Sequence, residues 1–162
     1  IRKNNEPLFK YKSLYIIFWL QALMASVLML SIIPIFTEVI SISALSIIGF
    51  LLAFFGLTYE AIADWQLSIF LKNKKRGVMN QGLWRYSRHP NYFGEFLVWW
   101  GIYLISFNSI FSFTILSPIL MSLLLLKVSG AELLESTIVD RRPGYADYIK
   151  QTPMFFPWFR KR

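Results

Sequence analysis

Residues 39–70 read VISISALSIIGFLLAFFGLTYEAIADWQLSIF. No charged residue interrupts 39–59, and roughly 20 apolar residues in helical form cross a hydrocarbon core of about 30 Å. Beyond Tyr59 the helical apolar pattern continues through Glu60 and Asp64, which lie four apart and so share one face. The expected helix therefore runs past a lipid boundary and presents both carboxylates to a polar cavity or interface.

Working outward, residues 14–36 form a second uncharged run, with Pro34 near its far end, where a kink or termination costs little. Residues 96–126 form a third, too long for one span and divisible near Phe107-Asn108-Ser109 into a hairpin, with Pro118 bending its second helix. The reading is an all-α, polytopic membrane bundle of about four transmembrane helices, followed by an amphipathic C-terminal helix. Residues 1–162 make a single membrane domain. All 17 lysines and arginines fall in residues 1–13, 71–91 and 127–162, which four spans put on one side; none falls in the turns near 37 and 108. That side is expected to face the cytoplasm or an organellar matrix.

Composition agrees with this class. Charged residues make up 16% of the 162 residues and hydrophobic ones 56%, against about 25% charged in soluble domains. The net charge of +8 is accounted for by topology, lipid headgroups or a phosphate-bearing cofactor, with no nucleic-acid motif beside it. The chain has no cysteine and one histidine, His89, which excludes disulfides, thiolate nucleophiles and a multi-histidine metal site. No metal is expected.

The polar residues concentrate around the basic segment 71–91 and the start of the third run. Glu60, Asp64, Arg76, Trp84, Arg85, Tyr86, Arg88, His89, Asn91, Tyr92 and Glu95 form the candidate site. Carboxylates at membrane depth are costly unless paired or wetted, so Glu60 and Glu95 either serve a function or pair with Arg85, Arg88 or His89 to fasten helix ends. Asn91 and Glu95 share a helical face and, with Glu60 and Asp64, make a polar wall suited to ribose hydroxyls or a carboxamide; arginines neutralise phosphates. His89-Pro90 marks a helix entry. Gly94 and Gly101 allow close helix contact. In the tail, Glu132, Glu135, the charged turn 140–145 and the pair Tyr145 and Tyr148 are further candidates, which an interfacial amphipathic helix explains nearly as well.

GLWRYSRHPNYFGE at 82–95, SGAELLEST at 129–137 and RRPGYADYIKQTPMFFPWF at 141–159 resemble the DUF1295 family, grouped with steroid 5-alpha-reductase-like membrane enzymes. The resemblance implies that the chain corresponds to about the C-terminal two-thirds of a usual member, with early helices carrying the substrate acids preceding Ile1. It implies an NADPH-dependent reductase of a carbon-carbon double bond conjugated to a ketone, acting on a hydrophobic, steroid-like or lipid-like substrate. On it, Asn91 and Glu95 contact the nicotinamide end and Asp64 the adenosine or ribose portion. Glu60 stands where steroid reductases show asparagine. Arg85 and Arg88 are the physical choice for the phosphates, and Tyr92 and Tyr145 complete the expected cofactor set. Thr152-Pro153 departs from the threonine-serine of many family tails. Two alternatives accompany this reading: a noncatalytic subunit of a larger membrane complex, and an isoprenylcysteine or phospholipid methyltransferase using S-adenosylmethionine, suggested by Arg88-His89-Pro90, Tyr92 and Gly94.

Overall fold

The computed structural model describes residues 18–37, 42–73, 77–107, 112–128, 138–139 and 141–160, together with Ala131 and Glu135. Among these the protein is all-α. Helix α1 (Leu20–Met29) and the short α2 (Ile33–Thr37) precede α3 (Ala44–Lys72). A 3₁₀ turn (Gly82–Arg85) leads to α4 (Pro90–Ser106). A second 3₁₀ turn (Ser112–Ile115) enters α5 (Leu116–Leu123), which passes into a π turn (Leu124–Val128), and α6 (Tyr145–Gln151) lies near the C-terminus.

The 29 residues of α3 continue without a break through Glu60 and Asp64. Ser43 and Ser46 start the helix with a reciprocal capping box: the Ser46 amide donates to Ser43 Oγ at 3.1 Å and the Ser43 amide to Ser46 Oγ at 2.9 Å. Lys72 in its last turn complements the helix dipole. Helix α4 begins on Pro90, whose missing N–H costs nothing in a first turn; His89 before it is held out of helical geometry at φ −134°.

The expected bundle of about four transmembrane helices is not what the described residues show. Among the described residues only α3 is long and apolar enough to cross a membrane. The run 14–36 is broken after Met29, where the amides of Leu30 and Ile32 bond three residues back to Val27 and Met29 just ahead of buried Pro34. The 10 residues of α1 rise only about 15 Å. The run 96–126 loses its first part to α4, which starts earlier, carries Asn91 and Glu95, and ends at Ser106 after 17 residues. In its second part Pro118 has no amide to donate, and the α-helical stretch of α5 is 8 residues long between 3₁₀ and π turns. Among the described residues, the alternation that put every cation on one side thus lacks the spans it needed. Arg76, Glu132 and Asp140 lie outside the described residues.

What positions the site is the antiparallel contact of α3 with α4, the most extensive in the fold. Gly49 faces Gly101 and Gly56 faces Gly94, each pair seven residues further along its helix. A Cβ on Gly49 would lie 2.6 Å from the Gly101 carbonyl oxygen; one on Gly56, 2.6 Å from that of Gly94; one on Gly94, 2.7 Å from the Glu60 amide nitrogen. These neighbours are backbone, which cannot swing aside. The large residues of α3 point away: Phe50, Phe54 and Leu57 are each about 60% exposed, while the buried positions are Ser46, Gly49, Gly56 and Ala63. Buried serines fasten α1 to α5, Ser117 Oγ donating to the Leu28 carbonyl at 2.8 Å and Ser31 Oγ to that of Thr114 at 2.9 Å.

Gly56→Ala and Gly94→Ala are each expected to destabilise the protein by about 1–3 kcal/mol through overpacking. Leu57→Ala, on the outward face, should change stability by less than about 0.5 kcal/mol. Thermal melting of the purified variants checks both; equal melting of all three would mean that the helices do not meet at these glycines.

Candidate functional site

The turn Gly82–Arg85 is docked on α3 before any functional group is placed. The Leu83 amide donates to Gln66 Oε1 at 3.0 Å and Trp84 Nε1 donates to the Ala63 carbonyl at 3.0 Å. Gly82 sits at φ +59° with Gln66 directly over it; a Cβ there would lie 2.4 Å from Gln66 Oε1. Tyr148 donates its hydroxyl to the Trp84 carbonyl, bringing α6 onto the same turn.

From this turn, Ser87-Arg88-His89 enters the interior, and all three residues are buried. Arg88 binds Glu135 with a two-pronged contact, Nε to Oε1 at 2.7 Å and Nη2 to Oε2 at 2.9 Å. Its remaining nitrogen, Nη1, donates to the carbonyls of Ile149 at 2.9 Å and Thr152 at 2.6 Å, closing the C-terminal end of α6. His89 Nε2 lies 2.9 Å from Glu135 Oε1. Backbone bonds from Arg88 N to Pro153 O (3.0 Å) and from Trp158 N to Tyr86 O (2.9 Å) lay the tail alongside residues 86–88. Ser87 Oγ adds a bond to the Phe155 carbonyl at 2.8 Å.

Beside this clasp opens a cavity of about 490 Å³, within the range of small-molecule and cofactor sites. Leu67 and Phe70 of α3 form one wall, Asn91 and Tyr92 of α4 another, and Arg141, Arg142 and Tyr145 the third. At the α3–α4 wall Asn91 Nδ2 donates to Asp64 Oδ1 at 3.0 Å. Asn91 Oδ1 is buried and has no hydrogen-bond partner among the described residues. Since an ionised Asp64 only accepts, the amide nitrogen must face it, and Oδ1 is the group left over.

The sequence candidates divide accordingly. Asn91, Tyr92, Tyr145, Arg88 and His89 line the cavity. Asp64 reaches it through Asn91. Glu60 and Glu95 stand with Asp64 close enough to interact electrostatically on the α3–α4 face. The cations offered to them go elsewhere, Arg88 and His89 to Glu135. Arg85 is exposed and does not line the cavity. In its place the structure brings Arg141, which is exposed, and Arg142, whose guanidinium, among the described residues, makes one long approach of 3.5 Å from Nη1 to the Gly77 carbonyl. The sequence offered both only as part of a charged turn; their adjacency to Gly144, at φ +82°, was the available signal that this turn folds back. Among the described residues no group of histidine, cysteine, aspartate or glutamate is arranged to hold a metal.

The docked turn, the His-Pro helix entry and the returning RRPGY tail make one contiguous unit, and the sequence from 1 to 152 matches the family described as protein of unknown function, DUF1295. The chain belongs to the DUF1295 family. No curated protein and no solved structure matches it. In this DUF1295 protein the first motif read from the sequence, residues 82–95, spans the docked turn, the Arg88 and His89 side of the clasp and the first turns of α4.

The clasp has an electrostatic signature. Burial pushes the Glu135 carboxyl up, but hydrogen bonds from His89 and Arg88 and the Arg88 charge outweigh it, and the net shift is downward. Burial, then the neighbouring Tyr145, pushes the Tyr148 phenol up. An unfolded glutamate titrates near about 4.3, so the Glu135 contribution is complete above that pH and is lost as pH falls through the lower folded value. For Tyr148 the contribution is complete below about 10 and is lost as pH rises toward the higher folded value. Glu135→Gln should cost about 3–5 kcal/mol at neutral pH, because it leaves the Arg88 charge buried without a counter-ion, and should flatten the acid limb of melting temperature against pH. Tyr148→Phe should flatten the alkaline limb. An acid limb unchanged in Glu135→Gln would place the acid-labile group elsewhere.

Proposed function

We propose that this protein is an integral membrane reductase that uses NADPH to saturate a carbon-carbon double bond conjugated to a ketone in a hydrophobic, steroid-like or lipid-like substrate. The observation that carries the reading is Asn91 at the wall of the cavity, its Nδ2 held by Asp64 and its buried Oδ1 without a hydrogen-bond partner among the described residues. An orphaned buried acceptor is costly, and a carboxamide N–H is the kind of donor that relieves it. The resemblance of residues 82–95 to steroid 5-alpha-reductase-like enzymes supports the same cofactor end at Asn91 and Glu95.

The donor set fits the group. Asp64 fixes the Asn91 amide before any ligand arrives. Arg141 and Arg142 hold guanidinium donors at the same cavity, where they would neutralise phosphates. Arg88 has four of its five guanidinium N–H groups turned to Glu135 and two carbonyls and acts as the frame. Tyr92 and Tyr145 give the cavity aromatic walls that exclude water. When bound, NADPH supplies the hydride. A hydrophobic substrate agrees with the outward face of α3, a helix of 29 residues whose large apolar side chains are mostly exposed. We place α3 across the bilayer, with its Lys72 end and the cavity on the cytoplasmic or matrix side.

Calorimetry on the purified protein in detergent, with NADPH, NADH and S-adenosylmethionine as separate ligands, tests the reading. NADPH should bind; Asn91→Leu should weaken it about tenfold, and the Arg141→Ala, Arg142→Ala double variant by tenfold or more. Binding of S-adenosylmethionine alone would move the protein to methyl transfer, and binding of none of the three would overturn the cofactor assignment. The membrane placement is checked separately: the protein should stay in the pellet after alkaline carbonate extraction.

A further inference from the structure

The single histidine of the chain sits between a carboxylate and the cavity. Glu135 Oε1 takes His89 Nε2 at 2.9 Å and Arg88 Nε at 2.7 Å. An ionised carboxylate is an acceptor only, so Nε2 carries a proton in either charge state of the ring. Arg88 holds both oxygens of Glu135, which leaves the carboxylate no freedom to turn. On its face the imidazole stacks on Tyr92, with ring centroids 5.4 Å apart and planes 13° from parallel. The backbone of His89 is fixed as well, its amide donating to Ser87 Oγ at 3.1 Å and Pro90 following it. Ring position, ring plane and tautomer are therefore all set by the fold. Nδ1 is the one ring nitrogen left for the cavity that His89 lines.

We infer that Glu135 locks His89 as the Nε2–H tautomer and that His89 Nδ1 is a second ligand-binding acceptor of the cavity, acting beside Asn91 Oδ1 on a ligand that carries N–H or O–H donors. Glu135 is the positioning residue and His89 the binding residue. The two acceptors stand two positions apart at the entry of α4, His89 as its cap and Asn91 in its first turn. One is oriented by Asp64 and the other by Glu135, each a carboxylate brought in from a different part of the chain. This pairing of a carboxylate with an imidazole is the arrangement by which a ring nitrogen is aimed and its protonation state chosen. A primary carboxamide or a sugar hydroxyl is the ligand chemistry that such a pair of acceptors takes. The charged and titratable groups around the ring are Glu135 and Arg88 at the clasp, Tyr92 on α4, and Tyr145 and Arg142 across the cavity. The ligand named here rests on the cofactor reading above; the tautomer does not.

Because the chain has one histidine, ¹⁵N-histidine labelling yields one imidazole spectrum, and nitrogen shifts separate the Nε2–H tautomer, the Nδ1–H tautomer and the imidazolium. In the ligand-free protein the neutral ring should show Nε2–H alone, and in Glu135→Gln a mixture of tautomers. Saturating NADPH should move the Nδ1 resonance, and His89→Phe, which keeps the stack on Tyr92, should weaken NADPH about tenfold by calorimetry. The Nδ1–H tautomer or a mixture in the unsubstituted protein would overturn the inference. So would NADPH binding by calorimetry that leaves Nδ1 unmoved. Failure of NADPH to bind at all would sink the cofactor reading and with it the ligand named here, while the tautomer measurement would still decide the Glu135–His89 lock on the unsubstituted protein.

Discussion

Between α3 and α4 there is no room for a methyl group. Gly49, Gly56, Gly94 and Gly101 bring backbone against backbone, so that a carbonyl of one helix stands where the first side-chain carbon of the other would be. Two helices in such contact have little freedom to slide, because any shift along the axis drives a neighbouring side chain into the gap. That register decides the site. It sets Asp64, two turns beyond Gly56, within reach of Asn91, three residues before Gly94, and it brings Glu60 beside Gly94 itself. Close packing of small residues is also how helices associate where apolar burial gives no preference between neighbour and surroundings.

The second constraint is electrostatic. Arg88 is 8% exposed, and a buried guanidinium is tolerable only with its charge balanced and its donors filled. Glu135 balances it, and carbonyls at the C-terminal end of α6 accept from Nη1. The outcome is a cross-link between three parts of the chain: the entry of α4, the segment after α5, and the tail. Thr152-Pro153, where the sequence departs from many family tails, falls inside this cross-link, and both carbonyls accept from Arg88. The departure is harmless there, since what Arg88 uses is carbonyl oxygen, which proline retains.

These constraints separate the polar residues by task. The motif around Arg88 and His89 builds the frame of the cavity, and Asn91 and Arg142, whose side chains keep unused hydrogen-bonding capacity among the described residues, line it.

Local chemistry determined a large part of this by itself. The apolar period of 39–70 and its acids at positions 60 and 64 dictate one long helix. Proline after His89 dictates a helix start, and glycines seven apart dictate a face that can approach another closely. The count of spanning helices was not local: Pro34 and Pro118 sit inside apolar runs, and whether a run continues as a helix past a proline depends on what the neighbouring turn can bond to. The partner of Arg88 was not local either, because Glu60, Glu95 and Glu135 are equivalent as text and differ only in where the fold carries them. The exchange of Arg85 for Arg141 and Arg142 at the cavity has the same cause: charge can be read from sequence, but the side of the chain on which it is left unpaired is a property of the packed backbone.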